Sequence, residues 1–179
     1  SFQDYTITEL ALFTREDLHA MPDDGRRYEL LDGAILMNPS PGLSHQRTLL
    51  RIWKMLDDVT RESPFEAVAA PWDVEFGLSV LEPDVVVARR DAMHEHGVDG
   101  VPVLVVEVAS PSTRRLDTTA KLAVYEQSGV RQYWLVDPAE PSVRVLELYD
   151  GAYIEVAHSS GDAMLSKLRG IAAELLTDD

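Results

Sequence analysis

Pro102-Val103-Leu104-Val105-Val106-Glu107-Val108-Ala109-Ser110 is the stretch on which the reading of this chain turns. Six aliphatic residues enclose one acid, and a continuous apolar run of this length reads as a strand buried on both faces. An unpaired carboxylate inside such a strand costs several kcal/mol, so Glu107 needs a cation or a proton.

The neighbouring sequence supplies candidates. Glu82-Pro83-Asp84 precedes a second aliphatic strand, Val85-Val86-Val87-Ala88. Asp84 opens that strand and Glu107 lies near the end of the next. If the two run antiparallel, as the stretch from Arg89 to Pro102 permits, both carboxylates meet at one edge. Two hard oxygen ligands suit Mg²⁺ or Mn²⁺, which take few protein ligands and keep several waters. Such an ion lowers the pKa of bound water and neutralises phosphate charge, which points to phosphodiester hydrolysis. Asp117 and Lys121 are four apart, hence on one face of a predicted helix that returns toward the strand end. Each residue also has a plainer reading. Pro-Asp is ordinary turn chemistry, Glu107 could form a buried salt bridge, and Lys121 could be a solvated helix residue.

Around this centre the pattern alternates between strands and helices. Thr14-Arg15-Glu16-Asp17 resembles a helix start, stopped by Pro22-Asp23-Asp24-Gly25. Asp32-Gly33 sits between two apolar tetrads, a two-residue hairpin signal. A helix is predicted from about Ser44 to Arg61, with Leu49, Ile52, Trp53, Leu56 and Val59 on one face. Strands are predicted near Phe65–Ala70, Trp72–Phe76, Asp84–Ala88, Val103–Ala109 and Gln132–Val136. Polar Arg89–Gly100 reads as a loop or short helix, and Leu116–Gln127 as a helix stopped by Gly129. Val143–Tyr149 and Tyr153–Val156 form a hairpin around Asp150-Gly151, followed by a weak helix near Ile171–Leu176. The strand–helix–strand unit from Val103 to Val136 implies a parallel crossover. The expected fold is α/β, a mixed sheet flanked by helices with extra hairpins toward both ends, in a single domain spanning 1–179.

Composition limits the alternatives. At 179 residues the chain can bury a substantial core. No apolar run reaches the length of a membrane span. Ser1 to Tyr5 shows no basic segment followed by an apolar one, so no secretory signal is expected there, and the first residue is Ser rather than Met. The absence of cysteine excludes disulfides, thiolate metal sites and cysteine nucleophiles, and fits a cytoplasmic location. Net charge is −15, which opposes tight nonspecific binding of nucleic acid. A local basic patch could offset it, with Arg26, Arg27, Arg47, Arg51, Arg114 and Arg115 as candidates.

Three blocks of sequence carry a resemblance. They are Glu82-Pro83-Asp84-Val85-Val86-Val87, then Leu104-Val105-Val106-Glu107-Val108-Ala109-Ser110-Pro111-Ser112-Thr113-Arg114, then Asp117, Lys121, Tyr125, Gly129-Val130 and Tyr133-Trp134-Leu135-Val136-Asp137-Pro138. Together they resemble a bacterial family of restriction-endonuclease-like proteins in the PD-(D/E)XK nuclease superfamily, once catalogued as a domain of unknown function. Arg27-Tyr28-Glu29-Leu30-Leu31-Asp32-Gly33 and His45 resemble its opening motif, and the likeness runs from Phe13 to Val156. The resemblance implies a restriction-endonuclease-like fold and a Mg²⁺- or Mn²⁺-dependent nuclease that cleaves DNA with metal-activated water, acting as a homodimer. It implies Asp84, Glu107 and the Val108 carbonyl as metal ligands. The superfamily lysine usually lies two residues after the Glu, where this chain has Ala109, and Lys121 resembles the migrated lysine. Its implied role is to orient the attacking water and stabilise charge on the phosphate. Glu29, His45 and Asp117 are supporting candidates, although Glu29 also reads as an exposed hairpin residue and Asp117 as a helix cap. Ala34 and Gln132 stand where relatives carry acids.

Two other functions remain open on the sequence. One is a noncatalytic binding or regulatory module that kept the fold, and the other is a hydrolase of small phosphoesters. Trp53, Trp72, Trp134, Tyr125 and Tyr133 read as core, and His94 with His96 as a loop pair.

Overall fold

The computed structural model describes residues 12–177. The segment Ser1–Tyr5, read above for a targeting signal, lies outside them. Elements follow in the order α1 (Arg15–His19), β1 (Arg27–Leu31), β2 (Ala34–Asn38), α2 (Leu43–Thr60), β3 (Phe65–Ala69), β4 (Val74–Phe76), β5 (Ser79–Leu81), β6 (Val85–Arg89), β7 (Met93–His94), β8 (Gly97–Val98), β9 (Leu104–Val108), α3 (Arg114–Thr118), α4 (Ala120–Ser128), β10 (Gln132–Asp137), β11 (Ser142–Tyr149), β12 (Ala152–Ser160) and α5 (Met164–Leu175).

The central sheet has strand order β12-β11-β10-β9-β6-β3. It is mixed: β9 and β10 are parallel, joined by the α3–α4 crossover, whereas β6 and β9 are antiparallel. Residue parity in β9 splits the strand between two cores. Leu104, Val106 and Val108 face α2 and α5, where Leu49, Ile52, Leu56 and Leu168 cover them. Val105 faces the other way, into a cluster with Tyr125, Tyr133, Phe76 and Leu81. With side chains buried on both faces, β9 has the unbroken apolar composition that made it legible in the sequence.

A second sheet, β2-β1-β5-β4, packs over that other face. Asp32 and Gly33 take positive φ values of 49° and 85° in the β1–β2 turn, the conformation a two-residue hairpin of this type requires. Asp150 and Gly151 do the same between β11 and β12.

Several elements differ from the sequence expectations. The helix predicted over Leu116–Gln127 is two helices, broken at Thr119, whose backbone lies outside the helical region at φ −125° and ψ −90°. Where a loop or short helix was expected, Arg90–Ala92 form a short 3₁₀ turn, and Met93–Val98 form a small hairpin that was not expected. Strand β5 was not visible because three residues carry too little alternation to register. The final helix is longer than expected, since Met164, Leu168, Ala172 and Leu175 form a continuous buried stripe. No helix among the described residues is long and apolar enough to cross a membrane.

Candidate active site

The β6–β9 ladder pairs Val85 with Val106. One step further, Asp84 stands opposite Glu107, and both share the face of Val105 and Val86. Side chains opposite one another in an antiparallel pair have Cβ atoms about 5 Å apart. The expected meeting of the two carboxylates at one strand edge is therefore a consequence of register. Where the ladder ends, the Val108 N–H donates to Asp84 Oδ2 at 2.7 Å. Because a strand residue's N–H and C=O project to the same side, the Val108 carbonyl also faces this edge.

Asp84 is held by two more groups. Arg27 of β1 approaches Oδ1 at 3.4 Å while its Nε donates to Glu82 at 3.0 Å. His45 Nε2, from the first turn of α2, lies 3.4 Å from Oδ2. Burial alone would raise the Asp84 pKa. The hydrogen bond and charge of His45, the charge of Arg27 and the Val108 N–H together hold it below the ordinary Asp value. Reciprocally, burial would lower His45, but Asp84 lifts it above the usual histidine range.

Glu107 is in the opposite condition. Burial pushes its carboxyl well above the ordinary range, Asp117, Asp84 and Glu29 push it further, and Lys121 is the counterweight. The Tyr125 hydroxyl donates to Oε1 at 2.7 Å, and Lys121 Nζ lies 3.7 Å from the same oxygen. One carboxylate of the pair is thus kept ionised and the other is biased toward its protonated form.

Lys121 reaches this point from the first turn of α4. Its nearest acid is Glu29, at 3.0 Å, with Asp117 at 3.8 Å. Burial would lower its pKa, but the charges of Glu107, Glu29 and Asp117 hold it above the ordinary lysine value. Glu29 is therefore no exposed hairpin residue: it is 0% exposed. It shares its face of β1 with Leu31, which packs on the central sheet, while Leu30 on the other face packs against Leu18 of α1. Its second oxygen accepts the Glu82 N–H at 2.9 Å, and Asn38 donates to the first. The sequence could not reveal this, because burial of both faces of β1 depends on how the two sheets stack.

Asp117 does not cap a helix. It lies inside α3, 1% exposed, and neither of its oxygens has a hydrogen-bond partner. Burial pushes it up to about 6, against the pull of Lys121 and of the nearby Thr113 hydroxyl, which stands outside good hydrogen-bond geometry. Of the other residues singled out by sequence, Tyr125 and Tyr133 touch the site, at Glu107 and at the Asp117 carbonyl, and the rest stand apart. Trp134, Tyr125 and Tyr133 are fully buried, and His94 sits on the surface 3.5 Å from Asp99. Gln132 bridges Glu147 and the Trp134 indole in the core.

These side chains line one cleft of about 190 Å³, whose lip includes Pro41, Gly42, Ser110, Ser112 and Thr113. Four carboxylates, Glu29, Asp84, Glu107 and Asp117, face two permanent cations, Arg27 and Lys121. The excess is two negative charges, and the oxygens of Asp117 lack partners. Among the described residues no three acidic or histidine side chains form a closed metal cage. An open set of two carboxylates and one carbonyl, all hard oxygens, nonetheless fits an ion such as Mg²⁺ that keeps most of its waters.

A mixed sheet with a parallel crossover, an Asp–Glu pair at its antiparallel seam and a lysine delivered by the crossover helix define a restriction-endonuclease-like protein. The chain belongs to the Uma2 family, described as "Putative restriction endonuclease", which matches residues 15–176. In structure it is similar to a protein from Anabaena variabilis ATCC 29413 described as a "putative nuclease belonging to DUF820". The two share 18% identity at a TM-score of 0.70, over 92% of this chain and 99% of that one. At that identity the likeness speaks for the fold. No curated protein matches the sequence.

Proposed function

We propose that this chain is a divalent-cation-dependent nuclease that hydrolyses phosphodiester bonds of DNA, with Asp84, Glu107 and Lys121 as its catalytic residues. The observation that carries the reading is the register that sets Asp84 opposite Glu107 and brings the Lys121 ammonium within 3.7 Å of the latter. Asp84, Glu107 and the Val108 carbonyl would hold Mg²⁺ or Mn²⁺, which when bound would supply Lewis-acid polarisation of the phosphoryl oxygen and a lowered pKa for water.

The remaining work falls to the chain's own groups. Arg27 and His45 keep Asp84 ionised so that it can serve as a ligand without first losing a proton. Tyr125 fixes the rotamer of Glu107 through its 2.7 Å hydrogen bond. Lys121 orients the attacking water and offsets negative charge that builds on the phosphate in the transition state. Glu29 and Asp117 steer Lys121 from two sides. The products are a 3′-hydroxyl and a 5′-phosphate. The chain is taken to work as one domain over 1–179 and as a cytoplasmic homodimer. Exposed Tyr149, Ile154 and Val156 on the β11–β12 hairpin give a self-pairing edge something to bury.

The test is calorimetric titration of Mn²⁺ into the native chain and Glu107→Ala, followed by DNA cleavage assays on the native chain and Lys121→Met. Saturable binding lost in Glu107→Ala, with cleavage lost in Lys121→Met, supports the reading. Binding without cleavage of DNA, RNA or small phosphoesters favours the noncatalytic module, which the net charge of −15 also favours. Sedimentation velocity decides the oligomeric state.

A further inference from the structure

The chain carries 31 acidic and 16 basic residues, and most of the basic ones are neutralised locally. Arg15, Arg26, Arg61, Arg90, Arg114, Arg144 and Arg169 each face an acid within 4.0 Å. Against that background the three residues Arg47, Arg51 and Lys54 differ, as do Arg115 and Lys167. All three are exposed, and none has an ion pair or side-chain hydrogen bond among the described residues.

Their spacing, i, i+4 and i+7, puts them on one stripe of α2. Seven residues of helix advance about 10 Å. The stripe begins about 7.5 Å along the helix axis from Gly42, the α2 N-cap that lines the cleft, and lies on the face of α2 opposite His45, which touches Asp84. Farther along, Arg51 and Lys54 line a groove of about 390 Å³ together with Ser166 and Arg169 of α5 and with Asp58, which pairs with Arg169.

We propose that this stripe is the surface on which the phosphate backbone of duplex DNA lies while one of its phosphodiesters enters the cleft. The assignment rests on the nuclease reading and adds to it the path of the substrate. Phosphates of one strand advance about 3.4 Å each along the duplex axis, so about four of them span the roughly 10 Å of the stripe. A protein that repels polyanions through its net charge needs its attraction concentrated where it is not cancelled internally. Arg47, Arg51 and Lys54 supply that. Protein interfaces are instead anchored by buried aromatic side chains and are poor in Lys, and the stripe carries no aromatic residue.

The experiment measures binding of a fluorescein-labelled DNA duplex by fluorescence anisotropy, in EDTA, across a series of salt concentrations. The proteins are the native chain, the triple variant Arg47→Gln/Arg51→Gln/Lys54→Gln, and Arg61→Gln as a control at the far end of α2. Each lost phosphate contact makes the slope of log K against log salt shallower by about 0.9, so the triple variant changes it by about 3. Over a fourfold rise in salt the native chain then loses roughly 40-fold more affinity than the variant. Arg61→Gln keeps the native slope.

An unchanged slope in the triple variant, or no native binding at low salt, overturns the assignment. Because the assay requires neither metal nor cleavage, the two readings fail separately. Stripe-dependent binding by a chain that cleaves nothing leaves the surface standing and removes the nuclease. Cleavage with an unchanged slope does the reverse.

Discussion

Replacing Asp117 with Asn should make the metal-free protein more stable at alkaline pH, and the size of the gain follows from the site. Asp117 is buried, its oxygens lack hydrogen bonds, and its pKa rises from an ordinary 3.8 to about 6. At 1.36 kcal/mol per pH unit, keeping this carboxylate ionised in the folded state costs about 3 kcal/mol. The folded-state value exceeds the unfolded one. The native chain therefore has its full stability, for this group, below about pH 4, and loses it as pH rises through about 6.

Asn has the same shape and no charge. Lys121 keeps Glu29 at 3.0 Å and Glu107 at 3.7 Å, so it is not orphaned. An amide N–H left without an acceptor subtracts about 1 kcal/mol. Near pH 8 the variant should then exceed the native chain by about 2 kcal/mol, or about 4–8 °C in Tm for a chain of this size. Near pH 4, where Asp117 is protonated, the unpaired amide should leave the variant about 1 kcal/mol less stable than the native chain. Glu82, Glu107 and His45 titrate in both proteins, so most of their contribution cancels in the difference. Removing the Asp117 charge also eases ionisation of Glu107, which acts in the same direction.

Urea denaturation in EDTA, followed by tryptophan fluorescence at several pH values, measures the difference. A gap that does not change with pH would refute the titration argument. A variant less stable than native at pH 8 would show that Lys121 depends on Asp117 more than on its nearer partners.

Three more outcomes follow from the same geometry. Mn²⁺ should bind more tightly as pH rises from about 6 to 8, because a ligand held protonated by burial must release its proton; equal calorimetric heats in buffers of different ionisation enthalpy would contradict this. Glu29→Ala should lower stability by about 3 kcal/mol, since Lys121, Asn38 and the Glu82 N–H lose one shared acceptor; a change in urea midpoint worth under about 1 kcal/mol would count against it. Asp84→Asn keeps an acceptor for the Val108 N–H and should fold, yet lose the roughly 2.7 kcal/mol of stabilisation that Mn²⁺ gives at a hundredfold excess over its Kd, read as a missing Tm shift.

What the sequence disclosed depended on how local the cause was. The buried strands β6 and β9, the parallel crossover and both Asp-Gly hairpins rest on composition and turn chemistry, and these were readable directly. Asp84 and Glu107 were readable because a lone acid beside an aliphatic run is conspicuous. Glu29 was not, since its complete burial arises only when the β1–β2 hairpin is laid over the central sheet. The break at Thr119 was equally hidden, because nothing in Leu116–Gln127 is a helix breaker. The basic residues Arg47 and Arg51 were noted as a possible patch. Their distinction from Arg26, Arg27 and Arg114 lies in the absence of an acidic neighbour, which is a tertiary fact.

The Asp117 prediction bears on function as well as stability. A residue whose neutral analogue gives a more stable fold is not retained by folding, and natural proteins concentrate such residues at working sites. Asp84 has a structural use in tying Arg27, His45 and the end of β9 together, and Glu29 has one in anchoring Lys121. Asp117 has less to hold it: its side-chain oxygens lack a hydrogen bond, and Lys121, 3.8 Å away, has the nearer Glu29. Glu107 is likewise buried at an energetic disadvantage that one lysine, shared among three acids, only partly relieves. Protons can settle this excess charge at low pH. At neutral pH the same excess favours a divalent cation, and a phosphate group then meets a cleft whose charge has already been turned in its favour. On the proposed reading, the α2 stripe adds outside the cleft a surface to which a polyanion is attracted.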